Sequence, residues 1–69
     1  MRGKIIEIRT NLTDRQLVIR LDNGTLRKRR LDVNCIISLN NKESQYSELR
    51  PGDIVEFEGQ PIVKVAAVR

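Results

Sequence analysis

Histidine and tryptophan are absent from the 69-residue chain, and it holds only one Cys, one Tyr and one Phe. With no His and with Cys35 alone, neither a Cys/His zinc constellation nor an internal disulfide can form, so Cys35 is expected to be a small residue in or near the core. Ser and Lys occur without a base or an activating neighbour in any recognisable pattern, so no catalytic residue, metal or cofactor is expected. A domain of this length also has little interior to spare for a substrate pocket, which argues against an enzyme. No apolar run approaches the roughly 20 residues of a membrane-spanning helix. The opening "MRGKIIEIRT" has no signal-peptide hydrophobic region, so a cytoplasmic protein with no membrane partner is expected.

What the chain has in excess is positive charge. Thirteen Lys and Arg against nine Asp and Glu give +4, and the run Arg27-Lys28-Arg29-Arg30 equals that whole excess. Residues 1–32 hold nine basic and four acidic side chains, whereas residues 33–69 hold four and five. One half of the sequence is therefore suited to a polyanionic partner.

Apolar residues recur with a period of two. Ile6 and Ile8 alternate with Glu7 and Arg9, Leu17, Ile19 and Leu21 with polar neighbours, and Val55 and Phe57 with Glu56 and Glu58. "IVKVAAVR" places Val63, Val65 and Ala67 on one side of a last strand. The stretches between are turns. Asn11 to Asp14 forms a polar connection, and "NNKESQYSEL" a loop with one helical turn around residues 44–49. Arg50-Pro51-Gly52-Asp53 fits a type II turn, with Pro51 presetting φ and Gly52 supplying positive φ. No repeat or linker divides the chain, so residues 1–69 are expected to form a single domain. Five short strands, with a polar insertion between the third and fourth, match an all-β, five-stranded OB-fold-like barrel, with an SH3-like barrel as the alternative.

Asn23-Gly24 is a strong signal for a two-residue type I′ hairpin. Such a turn would set Arg27 opposite Arg20 and Lys28 opposite Ile19, putting Lys28 and Arg30 on the core face. An unpartnered buried cation costs several kcal/mol, so a β-bulge between Leu26 and Leu31, or a hairpin projecting past the barrel, is expected. Either device leaves the cations in water, where Arg9, Arg20, Arg27, Lys28, Arg29 and Arg30 would form a nucleic-acid-binding face. Tyr46 and Phe57 are the only aromatics, so phosphate contact with little sequence preference is the expected mode, to RNA or to single-stranded DNA. Two other roles fit the same run: an interaction or assembly module meeting an acidic protein, or a solvated strand whose Lys and Arg block edge-to-edge aggregation. Glu56 and Glu58 are expected to be a solvated stripe, and Asp53 to satisfy backbone donors of its own turn.

The stretches "GKIIEI…LVIRLDNGT" and "SELRPGDIVEFEG" resemble bacterial translation initiation factor one and its OB-fold relatives, in which a Gly-initiated first strand, an Asn-Gly hairpin and a Gly-Asp-x-Val strand start recur. "LDVNCIISLNNKESQYSELRPGDIVEFEG" is similar to small bacterial OB-like β domains, with their short Leu-Asn-Asn-Lys turn. The resemblance implies the fold, and through initiation factor one it implies contact with RNA or the ribosome. The basic strand Leu26-Arg27-Lys28-Arg29-Arg30-Leu31 departs from the apolar–polar alternation usual at that place.

Overall fold

A computed structural model describes residues 1–11 and 14–69. Leu12 and Thr13, part of the expected polar connection, lie outside the described residues. Six strands make up nearly all of the ordered backbone: β1 (Arg2–Thr10), β2 (Arg15–Leu21), β3 (Leu26–Leu39), β4 (Lys42–Ser44), β5 (Ile54–Glu58) and β6 (Ile62–Val68). One 3₁₀ turn, Tyr46–Glu48, lies where the helical turn was expected. The all-β expectation holds.

The sheet runs β2-β1-β5-β6-β3-β4, and an additional β2–β3 pairing returns it to its start, closing a hydrogen-bonded ring. All ring pairs are antiparallel except β3 with β6. The strand beyond the five expected ones is β4, which pairs with the end of β3 around Asn40 and Asn41. Both residues have positive φ (52° and 66°), as a two-residue type I′ turn requires.

Ile5, Leu17, Ile19, Leu31, Ile37, Leu49, Val55, Phe57, Ile62, Val65 and Ala67 form one buried cluster inside the ring. Ile8 and Leu21 pack against it, half-buried. Two expected core residues face outward instead. In β1 the register against β2 shifts between Ile5 and Glu7, so Ile5 is buried, Ile6 is the extra residue of a bulge, and Ile8 turns inward again. In β6 the buried positions are Ile62 and Val65, three apart, leaving Val63 exposed; the β3–β6 register breaks there, between Leu31 and Ile36. The strand β3 swells at that break and leaves Val33 90% exposed.

β1 and β2 approach closely at Gly3. A Cβ there would stand 2.5 Å from the Arg20 carbonyl oxygen and 2.6 Å from Ile19 Cγ2, so no larger residue fits without moving the strands apart. At the other hairpin, pairing runs Arg20 with Leu26, Ile19 with Arg27 and Leu17 with Arg29, a register one residue away from that of a two-residue turn. Gly24 alone has positive φ (86°), and its amide donates to the Leu21 carbonyl at 2.8 Å. Asn23 instead accepts from the Thr25 amide through Oδ1 at 3.0 Å. Residues 22–24 are thus a three-residue connection, a type I turn closed by a glycine bulge. Gly24 has open space around it, so the strain of Gly24→Val comes from φ alone, and thermal unfolding should show a loss of about 1–2 kcal/mol. An unchanged melting temperature would mean that the turn is not held at positive φ.

Asp53 follows Gly52, whose φ of 98° fits the expected type II turn. Its carboxylate is 2% exposed yet fully partnered. Oδ2 accepts from the Arg50 amide at 2.9 Å, while Arg69 reaches Oδ1 through Nε at 3.0 Å and Oδ2 through Nη2 at 3.1 Å. Burial alone would raise the Asp53 pKa, but the Arg69 and Arg50 hydrogen bonds and charges outweigh it and hold the carboxyl below its usual value. A depressed folded pKa contributes stability above the unfolded value of about 3.9 that is lost as pH falls through the folded one. Unfolding free energy should therefore decline as acid is added below about pH 4. Arg69→Gln should remove that part of the decline, and Asp53→Ala should cost about 1–3 kcal/mol at neutral pH by orphaning the buried turn amide. Urea titrations of the three proteins across this range check both expectations, and identical acid profiles would sink the pairing.

Candidate nucleic-acid interface

Across an antiparallel ladder, directly opposed residues share a face. Lys4, Arg20 and Leu26 form one row across β1, β2 and β3; Glu7, Val18 and Lys28 form the next; Arg9, Gln16 and Arg30 form the third. This face points away from the core, and Lys4, Arg9, Arg20, Lys28 and Arg30 are all exposed on it. The rows Ile5–Ile19–Arg27 and Ile8–Leu17–Arg29 occupy the opposite face. Four of the six expected site residues thus stand together, joined by Lys4, which the sequence reading missed because it lies in a different strand. Arg27 and Arg29 do not stand with them.

The one-residue change in register produces this split. The expected like-charge pair of Arg20 and Arg27 does not exist: Arg20 faces Leu26, and Arg27 lies beside Ile19. The anticipated conflict also resolves without a bulge between Leu26 and Leu31. Leu31, Arg29 and Arg27 share the inward parity, while Leu26 is exposed. The two arginines are half-buried, their apolar stems lying beside Leu17 and Ile19 and their charged ends reaching out of the sheet. Arg27 Nη1 donates to the Leu26 carbonyl at 3.5 Å, and Arg29 Nη1 to the Lys28 carbonyl at 3.2 Å.

Acidic neighbours are few on the outward face. Glu7 Oε2 lies 3.1 Å from Arg9 Nε, and Asp14 Oδ1 lies 3.7 Å from Arg30 Nη1. Both are solvent-accessible pairs of the kind worth at most about 1 kcal/mol, so a phosphate can displace them. An open depression of about 450 Å³ adjoins Lys28, Arg29 and Arg30, walled by Gln16 and by Gln60 and Pro61 of the β5–β6 turn. Tyr46 offers no free stacking surface here. Its hydroxyl donates to the Arg9 carbonyl at 3.0 Å, and the Arg15 guanidinium lies 5.6 Å from the ring centroid.

Elsewhere the chemistry is sparse. Among the described residues no three His, Cys, Asp or Glu cluster as a metal site would require. No described helix is long and apolar enough to cross a membrane. Glu56 and Glu58 are exposed, opposed across the sheet by Arg2 and Ala66 and by Lys64 respectively. Cys35 is half-buried against the core, and burial first, then the charge of Asp32, pushes its thiol pKa up and away from reactivity. Compared with protein-family models, curated proteins and solved structures, the chain finds no match.

Proposed function

We propose that this protein is an OB-like nucleic-acid-binding module that holds a single strand of RNA or DNA by its phosphates across the outward face of β1, β2 and β3. The observation that carries the reading is the grouping of Lys4, Arg9, Arg20, Lys28 and Arg30 in three consecutive ladder rows, with Glu7 as the only acid in those rows. From Arg20 to Gln16 the face runs about 13 Å along β2, enough for several phosphates. The OB-like part of the proposal draws support from a ring of five strands closed by a parallel β3–β6 pair, with β1 shared between β2 and β5. It also draws on the resemblance to the initiation factor one group. In OB-folds the strand 2–3 face holds oligonucleotides.

With no free aromatic platform, affinity rests on charge and sequence preference is slight. Fluorescence anisotropy with single-stranded RNA, single-stranded DNA and duplex of equal length tests the proposal. Micromolar binding of at least one single strand at low salt, weakening as salt rises, is expected, and its absence for every probe would end the reading.

A further inference from the structure

We infer that the free edge of the β2–β3 ribbon accepts an extended acidic segment of a partner protein as an added strand. This goes beyond the nucleic-acid reading, because it rests on backbone groups at the strand edge and not on the outward face.

The strand β3 is 14 residues long, but its ring partner β6 joins it only from Leu31 onward. Residues 26–30 pair with β2 alone. The Leu21 amide bonds to the Thr25 carbonyl at 2.8 Å, which fixes the phase of the ladder. Alternation from that pair turns the amides and carbonyls of Arg27 and Arg29 toward β2, and those of Leu26 and Lys28 toward the open side. Among the described residues, no backbone group answers the Leu26 or Lys28 amides. Their carbonyls are met only by the exposed guanidiniums of Arg27 and Arg29.

The arrangement is an edge with provisional caps. A second strand would supply amide donors to the two carbonyls and carbonyl acceptors to the two amides. The displaced guanidiniums would then be free to pair with carboxylates on one face of the newcomer, while Lys28 and Arg30 meet those on the other. Charge selects the occupant. A second copy of this edge would lay four cations against four, a repulsion that keeps such strands apart. A nucleic acid has no amide row to satisfy the Leu26 and Lys28 carbonyls. An extended segment rich in Asp or Glu answers both the backbone groups and the charge.

The test uses the whole protein and a fluorescent peptide alternating Glu with Val. A second peptide has the same sequence with its central amides N-methylated, so every charge remains and the strand donors are gone. The first should bind and the second should bind at least about tenfold more weakly. Hydrogen exchange at the Leu26 and Lys28 amides should slow on saturation with the first peptide only. Lys28→Pro removes the edge donor without touching the β2 ladder, and should weaken binding well beyond Lys28→Gln, which removes only the charge. If Lys28→Pro does not fold, the methylated peptide and the exchange data decide. Equal binding of both peptides, unchanged exchange at these amides, or no binding would overturn the inference. A single-stranded oligonucleotide serves as the separate arm: its binding without the peptide's overturns this inference alone, and the converse overturns the nucleic-acid reading alone.

Discussion

Phe57→Ala should cost about 3–5 kcal/mol of unfolding free energy, the range for emptying a phenylalanine site in a packed core. At roughly 0.05–0.15 kcal/mol per residue, a chain of this size has only some 3–10 kcal/mol in total, so the variant is expected to be largely unfolded at physiological temperature. The reason is position as well as size. Phe57 is the sole aromatic of the buried cluster, 5% exposed, and it sits in β5 directly opposite Val65 of β6. That pair helps fasten the segment of the ring that carries β6 to its parallel closure with β3. Urea unfolding measures the loss, with Glu58→Ala, on the outer face of the same strand, as a control expected to stay within about 0.5 kcal/mol. A loss below about 1 kcal/mol for Phe57→Ala would contradict its burial.

Much of this core was legible because period-two alternation needs nothing but a regular ladder. Leu17 and Ile19, and Val55 and Phe57, sit where their spacing puts them. Alternation failed at Ile6 and Val63 for one physical cause: each lies at a break in register, and one extra residue inverts the parity of everything on one side of it. Nothing in "KIIEI" says which of two adjacent isoleucines will be the bulged one, since the choice is settled by the partner strands.

The hairpin shows the same limit more sharply. Asn23-Gly24 does signal a turn, and Gly24 does take positive φ. But Asp22-Asn23-Gly24 serves a three-residue connection as readily as a two-residue one, and the difference decides which face each of the four cations occupies. Leu31, buried and of the same parity as Arg27 and Arg29, is consistent with the longer turn. At Asn40-Asn41 the residues that do form a two-residue turn carried the weaker signal, with no glycine. The Asp53–Arg69 pair had no sequence signal at all, because 16 residues and two strands separate its members. Charge asymmetry proved the more durable guide. It located the cationic ribbon correctly, and missed Lys4 and the division of the run into face and edge because composition carries no register.

That division makes the second large effect specific. If the outward cations neutralise three or four phosphates, log K for a single strand should fall with log salt at a slope of about −2 to −3, a loss of about twenty- to fiftyfold between roughly 50 and 200 mM. Lys28→Gln with Arg30→Gln removes two of those contacts, and the slope should flatten by about 1.4, leaving a loss of only about three- to sevenfold over the same range. Arg27→Gln with Arg29→Gln removes the same formal charge from the same strand but from its other face, so it should flatten the slope less. Both double variants should keep their fold, since Lys28 and Arg30 are exposed and the carbonyls capped by Arg27 and Arg29 remain open to water. The comparison separates face from net charge. Equal slopes for the two variants would mean that the strand acts as an undivided cationic tether, and the ladder rows would then have no part in binding; a wild-type slope near zero would remove phosphate contact altogether.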